Sequence, residues 1–405
     1  MKVLFVNDGS ITNPIFQAQG LPHLAALAEL GHKIYVLSFE SREIGDEKRK
    51  SIMHQYKGKI SFLPVWVVSS AILRVLTQIL ICGHFITFFY VKKYSIQIIH
   101  ARGYVPTIVS LFTRAVLNVR LIFDMRGLMI DEMISKGRWK QNSIITVVMR
   151  FFERLCIFHA DYLIVVSGAF RKYIESLGHV SSSKKLLDIG VVPNSVEVSR
   201  FEVPEEVQKK LKKQLHIENR FVILYAGSLD AWQLPSYMME FFLRFKILCP
   251  QAFFLVLTYS ELTEKIRSEI NYDKLRNDDV LFLSIPPEMM PTYLSLGNIG
   301  IIFRKQELLN QVSSPLKVGE YLAAGIPILL TRGIGDTENV LSNHDIGIFV
   351  EEFSTRAFDD ASKRIIYFYE KKNHEVFSRC RMIASEVFSF EKAVQQYDSI
   401  YRKIV

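Results

Sequence analysis

At 405 residues, 49% hydrophobic and 22% charged, the chain holds too much apolar material for a disordered protein and is too long for one ordinary core. Two domains of roughly 200 residues each are expected. Its net charge of +9 is unevenly held: residues 1–200 carry 25 Lys/Arg against 14 Asp/Glu, a net +11, and residues 201–405 carry 25 against 27, a net −2. The four cysteines (Cys82, Cys156, Cys249, Cys380) stand far apart without a C-x-x-C pair, which argues against a disulfide framework or a cysteine zinc site and fits a reducing cytoplasm.

Met1–Asn7 runs straight into an apolar strand pattern without a basic leader and cleavage site, so no signal peptide and a cytoplasmic location are expected. Strand-like runs then alternate with helix-period segments: Val3–Asn7, a helix near 16–30, Lys33–Ser38, Ser61–Val65, Ile96–His100, Leu121–Asp124, Tyr162–Ser167 and Asp188–Pro193. Residues 71–91 are nearly apolar all round and end in Lys92 and Lys93, but Gln78, Gly83, His84 and Thr87 interrupt them. The run falls short of a spanning helix, leaving a buried domain helix or one that touches a membrane. With the basic first half, it raises the expectation of peripheral attachment to the inner face of the plasma membrane. The scattered Arg and Lys form no nucleic-acid motif, so no nucleic-acid partner is expected.

A polar stretch, Glu197–Asn219, precedes a second series: Val222–Ala226, a helix near 235–248, Phe253–Thr258, Val280–Ser284, Gly300–Phe303, Ile326–Thr331 and Gly347–Val350. Three helical segments close the chain. The pattern predicts two α/β, doubly wound, Rossmann-like domains facing across a cleft, over residues 1–200 and 201–387, with the last helix (about 388–405) packing back on the first. Ligands of such sheets bind beyond the carboxyl ends of the strands.

The stretch Ser313–Pro327 reads as a helix with Ser314 as N-cap, Pro315 as first helical residue, Gly325 as left-handed stop and Pro327 opening the next strand. The helix start suits a diphosphate, and Lys317 in its first turn adds a full charge. Glu320, on the same face, is placed to accept both hydroxyls of a ribose. The other reading of Lys317 and Glu320 is a solvated surface pair. Gly227 follows a strand and permits close backbone approach to phosphate, or forms an ordinary turn with Ser228. In the first half, Asp124, Arg126, Asp131 and Glu132 cluster after one buried strand. They read either as a structural Asp124–Arg126 pair or as groups for a substrate hydroxyl and a phosphate. His100 and Arg102, after the preceding strand, would line the same place.

Residues 314–327 resemble the donor-binding segment of glycosyltransferase family 4, of the GT-B fold, in the form S-P-x-K-x-x-E-Y-L-A-x-G-x-P. GHKIYVLS, ADYLIVVSGAF, VVPNSVEVSRF, LYAGSLDAW and SFEKAVQQY match further blocks in the same order, so the resemblance spans the chain. It implies that Glu320 binds the donor ribose and Lys317 the diphosphate. It also implies transfer with retention, without a metal ion or cofactor, from a UDP- or GDP-linked sugar to a glycan or polyprenyl-diphosphate-linked acceptor in surface polysaccharide synthesis. The sequence has no D-x-D motif to mark a metal site. The loop holding Gly20 resembles the family's glycine loop near donor phosphates and sugar, with His23 either an acceptor contact or a helix-surface residue.

Three departures from the family pattern stand out. The position of a first, sugar-contacting glutamate is Val312, leaving Gln311, Ser313 and Ser314 to replace it. Ser228 and Gln233 stand where an Arg and a Lys usually neutralise the leaving diphosphate, so Lys317 and Arg304 are the cations expected to do so. No histidine neighbours Asp124 in sequence. A GT-B nucleotide-sugar epimerase and a degenerate protein that only binds nucleotide sugar are the competing readings.

Overall fold

The computed structural model describes residues 1–41, 46–67, 83–177, 188–229, 231–258 and 278–405. Each apolar run named above contains a strand, because a strand buried on both faces needs an unbroken series of apolar side chains. β9 (Ala252–Leu257), AFFLVL, is buried at every position. Its neighbour β8 (Phe221–Ala226) sends Val222 and Leu224 into one core and Ile223 and Tyr225 into another, one on each side of the sheet.

The chain divides into two compact units, Met1–Pro193 with Ala393–Val405, and Asn194–Lys392. In the first, β1 (Lys2–Val6), β2 (Lys33–Ser41), β3 (Ile60–Val67), β4 (Ile98–Arg102), β5 (Arg120–Met125), β6 (Tyr162–Val165) and β7 (Asp188–Val191) form a parallel sheet in the order β3-β2-β1-β4-β5-β6-β7. In the second, β8, β9, β10 (Val280–Leu283), β11 (Ile299–Ile302), β12 (Ile328–Thr331) and β13 (Gly347–Val350) are parallel in the order β10-β9-β8-β11-β12-β13. Both sheets reverse their strand order beside the first strand, the place where the loops of such sheets generally part to leave a crevice.

Two local expectations change. The helix expected near 16–30 is two helices, Pro14–Gln19 and Leu21–Glu29, parted at Gly20. A Cβ there would lie 2.1 Å from Phe16 Cδ2, so the Phe16 ring occupies the space that a side chain would need. After β13 there are two helices, not three. Thr355–Val387 runs unbroken over 33 residues that contain neither Gly nor Pro, and Phe390–Ile404 follows. The 71–91 expectation falls mainly on residues 68–82, outside the described set; from Gly83 the chain is the helix Gly83–Tyr94. Among the described residues no helix is long and apolar enough to cross a membrane.

Candidate active site

In the second unit, the β8/β11 crevice is bordered by the loop after β8, the loop after β11 and the helix Leu316–Ala323. That helix is fixed by Tyr321, whose hydroxyl accepts a 2.8 Å hydrogen bond from the Ala226 amide of β8. A Cβ at Gly300 of β11 would lie 2.4 Å from Tyr321 Cδ2, so glycine lets the ring lie against the strand. Tyr321→Phe leaves the buried amide without its acceptor. The expected loss is about 1–3 kcal/mol of stability, read by urea unfolding.

The helix carries Lys317 and Glu320 on one face. Gly227 has φ +151°, and a Cβ on it would come within 3.1 Å of Lys317 Cε, so the Lys317 stem crosses directly over the glycine. Lys317 Nζ is 3.8 Å from Glu320 Oε2, beyond hydrogen-bond reach. Glu320 Oε2 is buried and has no hydrogen-bond donor. Among the described residues it shares this condition with one other carboxylate oxygen, Asp131 Oδ2, and such an acceptor suits a ligand hydroxyl. The pair is therefore not a solvated surface pair: both side chains are largely covered, at 30% and 15% exposure.

Arg304 follows β11, with burial lowering its pKa from the ordinary arginine value. Its guanidinium donates to Asn310 Oδ1 at 3.3 Å and Ser313 Oγ at 3.4 Å, and its buried Nε has no acceptor. Among the described residues no carboxylate pairs with it, so the positive charge is held against neutral groups only. An anion is the natural complement.

The remaining expectations in this unit are redistributed. Ser314 is not the N-cap. Pro315 occupies that place and Leu316 begins the helix, while Ser314 accepts from Asn194 through both its hydroxyl (3.3 Å) and its carbonyl (2.6 Å). Proline has no side-chain acceptor, so no side chain caps this helix: the Val318 amide donates to Pro315 O at 3.1 Å, and the Leu316 and Lys317 amides are left uncapped. Val312 is buried in the apolar interior, Gln311 is exposed, and the Ser313 hydroxyl donates to Asn310 O at 2.8 Å. The Ser228 carbonyl accepts from Tyr225 Oη, and Gln233 is buried. The sequence reading missed Asn310. It also donates to Lys305 O at 2.8 Å and accepts from the Gly335 amide, fastening the loop that carries Arg304.

In the first unit, Asp8, Asn13, Arg102, Gly103, Arg126 and Glu132 are among the residues lining an open pocket of about 320 Å³ at the carboxyl ends of β1, β4 and β5. Beneath it lies a buried polar network. Asp124 is fully buried, with Oδ1 3.4 Å from Arg126 Nη1 and Oδ2 3.4 Å from His100 Nε2. Burial disfavours its charge, but Arg126, His100 and Arg102 together outweigh that and hold its pKa well below the usual carboxylate range. His100 therefore neighbours Asp124 in space, although no histidine neighbours it in sequence. His100 does not line the pocket: it is buried on β4, with Nδ1 2.6 Å from Tyr401 Oη of the C-terminal helix. Arg126 also donates to Val192 O at 3.1 Å and Tyr397 Oη at 3.3 Å, and Arg102 to Gln19 O at 2.7 Å.

His23 is not a helix-surface residue but is buried, edge-on to Tyr397. Asp131 and Glu132 face different neighbours. Asp131 Oδ1 accepts from Arg150 at 2.6 Å in a network with Glu153 and Tyr104, whereas Glu132 pairs with Lys136 at the pocket rim. Glu40 was also missed. It is fully buried, paired with Arg49 at 3.3 Å, and accepts from Ser10 Oγ (2.5 Å) and the Ile11 amide (3.0 Å), which shapes the loop after β1.

Burial first, and then Arg102 and Arg126, lower the His23 pKa to about 3, and burial also lowers that of His100. A histidine depressed in the fold contributes stability above its unfolded pKa of 6.5 and loses it as the pH falls through that value. Stability is therefore expected to drop between pH 6.5 and 3, by about 1.4 kcal/mol per pH unit for His23, with His100 acting in the same direction. Urea unfolding at pH 7 and pH 5 measures this, and His23→Gln should flatten the slope.

No family model and no curated protein sequence matches the chain. Solved structures do match over its whole length. A glycosyltransferase from Rickettsia africae aligns with TM-score 0.71 and 16% identity, over 100% of this chain and 98% of that one. HepE from Anabaena, solved with UDP and glucose, aligns with TM-score 0.71 and 15% identity, over 99% of each chain. The sucrose-phosphate synthase of Thermosynechococcus elongatus gives 0.71 and 15%, over 100% and 99%. The chain thus has the GT-B glycosyltransferase fold, built of two Rossmann-like units.

Proposed function

We propose that the protein is a glycosyltransferase that takes its sugar from a UDP- or GDP-linked donor. The observation that carries this reading is the buried Glu320 oxygen without a donor, beside Lys317, Gly227 and the open helix start. A nucleoside diphosphate sugar satisfies all of these at once: ribose hydroxyls donate to Glu320, and the diphosphate meets Lys317, Arg304 and the first-turn amides. Structural neighbours that hold UDP and UDP-glucose add support.

The chemistry follows from where charge grows. As the sugar–phosphate bond lengthens, negative charge collects on the leaving phosphate, and Lys317 and Arg304 are the cations that stabilise it. We further propose retention of configuration by front-face attack, independent of a metal, with the leaving phosphate accepting the proton of the incoming hydroxyl. The first unit is assigned the acceptor, a glycan or polyprenyl-diphosphate-linked glycan of surface polysaccharide synthesis, with Arg102 and Arg126 available to an acceptor phosphate. Thermal shift with a panel of nucleotide sugars, followed by turnover with lipid-linked and soluble acceptors, tests the assignment. No shift with any nucleotide sugar would refute it.

A further inference from the structure

We infer that one helical face of the first unit is a docking surface for an anionic lipid bilayer. The helix Gly83–Tyr94 packs against Tyr104–Val116, which packs against Ile144–His159. Rings join the first two, with Phe88 and Phe112 centroids 6.0 Å apart. All three helices leave large apolar side chains bare. Phe85 is 68% exposed, Ile144 84% and Val147 61%, and Phe89, Phe112 and Phe151 are exposed beside them.

The pattern on Ile144–His159 is specific. Thr146, Met149, Glu153, Cys156 and Ile157 face the core, which satisfies the ordinary burial of an amphipathic helix. Ile144, Val147, Phe151 and Phe158 recur at helical spacing on the opposite face, where charged residues are expected. A second apolar stripe facing outward needs a cover.

Charge decides what that cover is. Gly83–Tyr94 and Tyr104–Val116 contain no acidic residue, and the one acid of Ile144–His159, Glu153, is buried and bonded to Tyr104 and Arg150. Lys92, Lys93, Arg138, Lys140 and Arg154 are exposed on these helices and on the loop leading to the third. A two-fold contact with a second copy would set these cations against their own duplicates with no acid to meet them. Anionic headgroups complement the cations while the acyl region takes the Ile, Val and Phe side chains, the combination that gives reversible in-plane attachment. The surface rests on the proposed lipid-linked acceptor for its purpose but not for its detection.

Co-sedimentation of the full chain with mixed phosphatidylglycerol/phosphatidylcholine vesicles, and with phosphatidylcholine alone, is the test. The chain should bind the mixed vesicles, be largely released by salt, and ignore phosphatidylcholine. Val147→Ser/Phe151→Ser and Lys92→Glu/Lys93→Glu should each lower vesicle affinity at least tenfold, with thermal melting and UDP-glucose binding unchanged because these side chains are on the surface. Unchanged UDP-glucose binding separates a failure of docking from a failure of the donor assignment. Absence of binding to mixed vesicles, wild-type binding by both variants, or a dimer in light scattering that Val147→Ser/Phe151→Ser dissolves would overturn the inference.

Discussion

Glu320→Ala is expected to weaken nucleotide-sugar binding at least tenfold, about 1.4 kcal/mol, with the fold retained. Its Oε2 is buried without a hydrogen-bond donor, so removing it leaves no broken internal bond. What is lost is a charge-assisted hydrogen bond to the ligand. Lys317→Ala should also lower turnover at least tenfold, but differently. In the proposed complex its charge would face phosphate, and charge on the leaving phosphate increases toward the transition state, so kcat should fall more than KM rises. Steady-state kinetics with UDP-glucose check both variants. Donor kinetics equal to wild type in both would remove this helix from the site.

Arg126→Met is expected to be the most damaging single change to stability. Asp124 is fully buried and kept ionised largely by Arg126, which also ties β5 to Val192 and to Tyr397 of the C-terminal helix. Removing one member of a buried pair strands the other, at about 3–5 kcal/mol. Urea unfolding at pH 7 measures the loss. The double variant Arg126→Met/Asp124→Leu should recover part of it, because the stranded carboxylate is then gone. If both variants unfold like wild type, the network beneath the pocket is not what holds the C-terminal helix.

The strands were legible because a parallel strand buried on both faces must be apolar throughout, and Phe221–Ala226 or Ala252–Leu257 permits no other reading. The Lys317–Glu320 helix was legible because its proline, its glycine stop and its spacing are local. Its cap was misread, since Ser314 is engaged by Asn194, a residue 120 positions away. The same limit hid the role of His100, whose partner Tyr401 is 301 residues distant. The pairing of Asp131 with Arg150 was hidden in the same way, because Arg150 lies on a different helix. Contacts of this range leave no periodic trace in a single sequence. Exposure was also beyond reach: nothing local in the sequence marks Ile144, Val147 and Phe151 as a bare face of their helix.

The central claim is that Glu320 reads the ribose of a nucleotide held at the β8/β11 crevice. Calorimetric titration of UDP and of 2′- and 3′-deoxy-UDP into wild type and Glu320→Ala tests it most directly. Wild type should bind UDP more tightly than the deoxy analogues, and Glu320→Ala should bind all three with one weakened affinity. Equal affinities in wild type, or discrimination that survives Glu320→Ala, would contradict the account.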